Sequence, residues 1–174
     1  MNSAQAKWLP AAWSAILAAT TLSGTVVIGC MMPFCAIATI AALALPRRIG
    51  MTAVAACWLG NQAIGFGVLG YPWDTPTFGA GLSLLGASLL AWGVAGGIGR
   101  RFGAGGALAA FAAAFVAYEA ALFAYALAFG DGALFAPSVV GLIAMNDGLW
   151  FAGLWLGWQL LRLAAPAVSV RPTA

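Results

Sequence analysis

The side chains best suited to chemistry lie in one apolar segment, Ile49–Gly70, where a thiol is followed by two amides. Cys57 and Asn61 are four residues apart, so a helix places them on one face, with Gln62 beside Asn61. Counting about 1.5 Å per residue from Ile49 puts Cys57 about 12 Å and Gln62 about 20 Å into the hydrocarbon. Polar groups at that depth are costly unless they are paired or line a cavity, so the pattern predicts a binding site. A buried cysteine that serves only for packing remains the alternative.

Two acidic residues also lie inside apolar segments, Glu119 next to Tyr118 and Asp147 next to Asn146. No arginine or lysine is expected at their depth, so each acid must be protonated, hydrogen-bonded or exposed to water. Asp147 has a depth similar to that of Asn61, and we expect it to join the site. A proton relay and a neutral acid in a polar network are both open interpretations.

The composition excludes several kinds of chemistry. The chain contains no histidine, which excludes Ser-His hydrolysis, a histidine-held haem and ordinary zinc or copper sites. It has no P-loop or Rossmann glycine pattern. The soft metal ligands are three cysteines and five methionines. A metal bound here would be thiophilic, or would arrive in a cofactor that leaves one axial position free.

The elements that must position these residues are apolar helices. Of 174 residues, 64% are hydrophobic and 6% charged, and the mean hydropathy is +1.00, which predicts one integral membrane domain over residues 1–174. A membrane helix needs about 20 residues, and the second segment is shorter than that. It is therefore tilted into the bundle, takes residues from its neighbours, or begins in an irregular stretch around Pro33. We expect an all-α protein with six transmembrane helices in these segments: Trp8–Ile28, Cys30–Leu45, Ile49–Gly70, Gly79–Ile98, Gly105–Phe129 and Val139–Ala164.

Six crossings place every basic residue on one side of the membrane: Lys7, Arg47, Arg48, Arg100, Arg101, Arg162 and Arg171. Asp74 and Asp131 fall on the other side. The positive-inside rule makes the basic side cytoplasmic, with both termini inside. The predicted outer loops are then Gly29–Phe34, Tyr71–Phe78 and Gly130–Ser138. The basic residues are scattered and form no stripe that would favour a nucleic acid as partner.

The first helix carries small residues at a four-residue spacing, Ala11, Ala15 and Ala19. They form a smooth face that another helix can approach closely. Intramolecular packing and docking of a partner protein are both open interpretations of this face.

Six short helices with both ends inside, the Ala11-xxx-Ala15 face and short inner turns resemble a known group. These are the S components (substrate-binding subunits) of energy-coupling factor vitamin transporters. Within that group, Cys57 followed by Asn61-Gln62-Ala63-Ile64-Gly65-Phe66 resembles the small bacterial cobalamin transporters called BtuM.

The resemblance implies a multi-pass uptake protein of the bacterial inner membrane that binds cobalamin, a cobalt corrinoid, as substrate and has no cofactor of its own. It implies that the thiolate of Cys57 is an axial ligand of the cobalt and removes cyanide from cyanocobalamin. Cys35 and Cys30 are rival ligands. Aromatic rings would contact the corrin, while amides and one acid would bind its polar groups. These residues are Trp58, Phe66, Tyr71, Trp73, Asn61, Gln62 and Asp147.

The resemblance also names a partner, the energy-coupling module, which consists of a transmembrane T subunit plus ATPases. The alanine face of the first helix would dock it, although this group is thought to work without a dedicated module in some bacteria. Three other functions are open: uptake of another vitamin (thiamin- or biotin-like), a membrane redox protein with a Cys30–Cys35 disulfide, and a structural subunit. The disulfide needs a non-helical turn, which Pro33 permits.

Overall fold

The computed structural model describes residues 10–19, 32–129 and 135–164, and these residues are helical apart from short connections. A 3-10 turn, Gly103–Gly106, separates the fourth and fifth helices. Within these ranges, the prediction of an all-α protein with six helices is confirmed. The helices are α1 (Pro10–Ala19), α2 (Phe34–Ala44), α3 (Arg47–Gly67), α4 (Thr75–Phe102), α5 (Ala107–Phe129) and α6 (Pro137–Ala164).

Four of these helices, α3 to α6, have the length and composition to cross a membrane. The other two are shorter apolar helices, with α2 containing 11 residues. At about 1.5 Å per residue α2 is about 16 Å long, roughly half of a ~30 Å hydrocarbon layer. The chain therefore has the helices of a membrane protein, whereas six complete crossings stay a prediction.

Helix α4 begins at Thr75, four residues before the predicted start at Gly79, and runs to Phe102. The preceding residue explains the difference, because Oδ1 of Asp74 accepts a hydrogen bond from the backbone N–H of Thr77 at 2.9 Å. Hydrogen bonds from Thr77 also lower the pKa of Asp74. Pro76 suits a first helical turn, where its missing N–H costs nothing. The predicted loop Tyr71–Phe78 therefore extends too far, because its last four residues belong to α4.

Helix α2 forms the centre of the bundle, and every residue from Phe34 to Ala41 is buried. It packs against α3, α4, α5 and α6. Its sequence is apolar on all sides, which is typical of a helix surrounded by protein rather than of an amphipathic surface helix. The outer helices are instead exposed along one side, as expected for helices that face lipid.

The five described arginines lie at one end of the bundle, which we call the arginine end: Arg47, Arg48, Arg100, Arg101 and Arg162. The antiparallel pairing of α5 with α6 brings Arg162 there, since Phe111 stacks on Phe151 with ring centroids 4.5 Å apart. Asp74 lies at the opposite end, the loop end. Lys7, Asp131 and Arg171 lie outside the described residues.

Helix α1 packs against α6 near the arginine end, where the ring centroids of Trp13 and Trp158 are 5.4 Å apart. Trp13 and Leu17 are buried. The alanine face points the other way, because its three residues are exposed: Ala11, Ala15 and Ala19.

Candidate functional site

Helix α2 begins midway along the bundle. Its residue Ala41 touches Gly50 of α3 so closely that a Cβ on Gly50 would lie 2.7 Å from the carbonyl oxygen of Ala41. The two helices are antiparallel, so Cys57, seven residues after Gly50, is level with Phe34, seven residues before Ala41. Phe34 is the first residue of α2. The amino end of α2 therefore lies inside the bundle, at the level of Cys57.

Asp147 of α6 caps this internal helix end. Its Oδ1 accepts a hydrogen bond from the backbone N–H of Ala36 at 2.7 Å, and the backbone N–H of Cys35 also bonds to the carboxyl group. Asp147 is 1% exposed. The first amides of a helix lack partners within the helix and attract negative charge. The free amides at the start of α2 therefore take the place of a basic side chain and stabilise the buried carboxyl group of Asp147.

Three further polar side chains lie close enough to Asp147 for electrostatic interaction with it. All are buried, and the thiol of Cys35 is free. We call the four residues the central polar cluster: Cys35, Tyr118, Glu119 and Asp147. The predicted rival ligand Cys35 thus belongs to this cluster, whereas the other predicted rival, Cys30, lies outside the described residues.

Cys57 lies on the buried face of α3. It is 2% exposed, and Asn61, one turn further towards the loop end, is 5% exposed. Gly65 continues this face by another turn, and the ring of Tyr71 lies directly against it. We call this strip the Cys57 face: Cys57, Asn61, Gly65 and the covering ring of Tyr71. The four-residue spacing predicted from the sequence therefore corresponds to one buried face.

Trp58 and Gln62 lie on a different side of α3, facing α4. The indole Nε1 of Trp58 donates a hydrogen bond to the carbonyl oxygen of Gly81 at 2.7 Å. The side chain of Gln62 packs against the same residue, and a Cβ on Gly81 would lie 2.7 Å from its Oε1. Both side chains therefore form part of the contact between α3 and α4.

The remaining predicted aromatic residues form a cluster at the loop end. The ring of Phe66 is central, with centroids 4.9 Å from Trp73 and 4.8 Å from Phe78, on which it stacks. Tyr71 meets Phe66 edge-on at 6.1 Å. Trp73 is 75% exposed, so this loop-end aromatic cluster (Phe66, Tyr71, Trp73 and Phe78) reaches the surface.

The predicted site residues therefore occupy four places, one of which is the loop-end aromatic cluster with Phe66 and Trp73. Cys57 and Asn61 share the Cys57 face, Trp58 and Gln62 lie between α3 and α4, and Asp147 caps α2. Tyr71 connects the Cys57 face with the loop-end aromatic cluster. No group of three or more His, Cys, Asp or Glu side chains among the described residues could hold a metal ion. Cys57 or Cys35 can each supply one sulfur ligand.

Sequence reasoning gave an irregular start around Pro33 as one of three alternatives for the second segment, and it missed the contact of that helix start with Asp147. The signal was present, because Pro33 immediately before an unusually short apolar segment marks a helix start. Sequence reasoning also left Tyr118 outside the site, although it is 4% exposed and interacts electrostatically with Asp147. The sequence of an alanine-rich helix does not indicate which residue of another helix an aromatic side chain will contact.

Comparisons with protein-family models, with curated proteins and with solved structures find no match to this chain.

Proposed function

We propose that the chain is an uptake protein that binds a vitamin, cobalamin, from the loop end of the bundle. The observation that carries this proposal is the internal start of α2, capped by Asp147. Membrane transporters commonly place their substrate where a discontinuous helix ends near the membrane midplane. The exposed amides and acids at such a helix end can bind polar groups that would otherwise be costly at that depth.

Cobalamin is the substrate that best fits the ligands available. A corrin holds its cobalt through four ring nitrogens, so one protein side chain is enough to complete an axial position. The chain contains no histidine, which leaves a thiolate as its strongest ligand for such a metal. Cys57 is level with the start of α2 and shares a face with Asn61, whose amide can bind the polar groups of the corrin.

The thiol also accounts for removal of cyanide from cyanocobalamin. The reaction is a ligand exchange: a cobalt–sulfur bond forms as the cobalt–carbon bond to cyanide breaks. The thiol proton leaves with the cyanide as hydrogen cyanide, and the cobalt keeps its oxidation state. Cys57 is 2% exposed, so the sulfur reaches cobalt only when α3 separates from its neighbours. We therefore expect a conformational change on binding.

The proposal includes the membrane arrangement. All six predicted segments cross a bacterial inner membrane, and α2 forms only part of the second crossing. The arginine end faces the cytoplasm together with both termini, and the loop end faces the substrate. The exposed alanine face of α1 is then available to an energy-coupling module. Close helix packing through small residues is the contact that this face supports.

The test is the visible spectrum of the purified protein after incubation with cyanocobalamin. Wild type should retain the corrinoid with cobalt bands shifted by sulfur ligation, and cyanide should appear in solution. Cys57→Ser should lose the shift and bind at least about tenfold more weakly, since even an outer partner of a metal ligand contributes about 10- to 100-fold.

Cys35→Ser is the matched control, because it removes the other described buried thiol. We expect it to keep the shifted bands. A shift that depends on Cys35 instead would move the ligand into the central polar cluster. A colourless wild-type protein at saturating cobalamin would refute the substrate and leave another vitamin on the same helices.

A further inference from the structure

A groove of about 300 Å³ lies between α5 and α6, apart from the Cys57 face. Its walls are mainly apolar, with a single acid at the inner end. The lining residues are Glu119, Ala120, Phe123, Phe135 and Val140. Helices α5 and α6 have few contacts along their length, and this loose packing leaves the space between them.

Glu119 is the unusual residue of this groove. It is 9% exposed, and neither Oε1 nor Oε2 has a hydrogen-bond partner among the described residues. Every described arginine lies at the arginine end, away from this level of α5. A buried carboxyl group without a partner is unfavourable, and a ligand that pairs with it removes that penalty.

Asp147 provides an internal comparison. Both acids lie ten residues from the loop-end terminus of their helix, Glu119 from Phe129 and Asp147 from Pro137. The amides of α2 bind Asp147, and so this acid already has its structural partner. Glu119 has none among the described residues, although it lines a space that a ligand can enter. The two acids at one depth therefore have different roles.

The aromatic walls indicate the chemistry of the ligand. Phe123 lies one helical turn from Glu119 towards the loop end, and its ring meets that of Phe135 edge-on with centroids 5.2 Å apart. The faces of aromatic rings attract cations, and the rings also accept apolar groups. A carboxylate at the inner end and two phenyl rings beside it match a molecule with a cationic head and an apolar body.

We propose that the groove between α5 and α6 binds a small organic ammonium ion with an apolar group, paired with Glu119 and contacted by Phe123 and Phe135. The volume is at the lower end of about 300–1,000 Å³ for ligand pockets, which suits a molecule with one ring. This site does not depend on cobalamin, because Cys57 takes no part in it.

The test compares two probes of the same shape, the 2-phenylethylammonium ion and neutral 2-phenylethanol, by calorimetry on the protein in lipid nanodiscs. We expect the ammonium ion to bind and the alcohol to bind at least tenfold more weakly. Glu119→Gln should reduce ammonium binding at least tenfold while keeping the shape of the side chain. Phe123→Leu should reduce it several-fold.

Phe129→Leu is the control, since Phe129 is on the same helix, 76% exposed and outside the groove. It should bind like wild type. A second measurement on unaltered protein follows carbodiimide modification of Glu119 by mass spectrometry, which millimolar ammonium ion should slow. Equal binding to Glu119→Gln, or no protection of Glu119, overturns the proposal. Equal affinity for the alcohol also overturns it, and would show a site for neutral hydrogen-bond donors.

Discussion

Asp147 shows how a single carboxyl group is kept inside an apolar bundle without a basic side chain. The depth of this residue follows from its position in the sequence, and that part of the prediction rests on counting residues along a helix. Its partner does not follow from any pair of side chains. The partner is a row of backbone amides, which exist at this place only because α2 starts there.

Replacing Asp147 tests this contact. Asp147→Ala leaves the buried N–H of Ala36 without an acceptor, so we expect a loss of about 2–3 kcal/mol in the free energy of unfolding. Asp147→Asn keeps an oxygen acceptor and should lose clearly less. Thermal unfolding in detergent measures both. Equal stability of the alanine variant and wild type would show that α2 does not need this cap.

Glu119 and Cys57 mark the limit of prediction from single residues. The four-residue spacing of Cys57 and Asn61 predicts a shared face, and both side chains are buried on α3. The same spacing relates Glu119 to Phe123, but Phe135 comes from the connection before α6. A groove between two helices depends on the distance between them. The residue periodicity of a single helix carries no information about that distance.

At the scale of elements, close approach between α2 and α3 depends on one glycine. Gly50 leaves no room for a Cβ, because the carbonyl oxygen of Ala41 would lie 2.7 Å away and Nε1 of Trp92 3.0 Å away. The short length of α2 is predictable from its apolar segment. The predicted starts of α4 and α6 are too late, since their first turns contain loop-forming residues that also cap helices.

Gly50→Ala should force α3 away from α2 and lower the free energy of unfolding by about 1–3 kcal/mol, the usual cost of overpacking. Gly93→Ala is the matched control, because Gly93 lies inside α4 and an added methyl group there would meet nothing within 4 Å. It should be neutral or stabilising by up to about 1 kcal/mol through helix propensity. Thermal unfolding of the two variants measures both changes. Equal losses of stability in Gly50→Ala and Gly93→Ala would contradict the close contact between α2 and α3.

At the scale of the whole molecule, charge separates the two ends of the bundle. The described arginines share one end, while Asp74 lies at the other. Six crossings predict this separation from the sequence, and the antiparallel order of α3 to α6 is enough to produce it for these residues.

Cysteine labelling tests the orientation. In a variant without native cysteines, Asp74→Cys should react with a membrane-impermeant maleimide on intact cells, since the positive-inside rule places the loop end outside. Arg101→Cys, at the other end of α4, should react only after permeabilisation. The opposite pattern would invert the protein in the membrane and place the proposed entrance on the cytoplasmic side.

The contact between α6 and α2 also constrains the order of biosynthesis. Helix α2 emerges early from the ribosome, whereas Asp147 is carried by α6, the last of the described helices. Until that helix arrives, the amino end of α2 lacks its native acceptor, and an 11-residue helix is too short to span the bilayer alone. Translation of α6 is thus the step that supplies this acceptor, and a chain truncated before Asp147 should be degraded faster in cells than the untruncated chain.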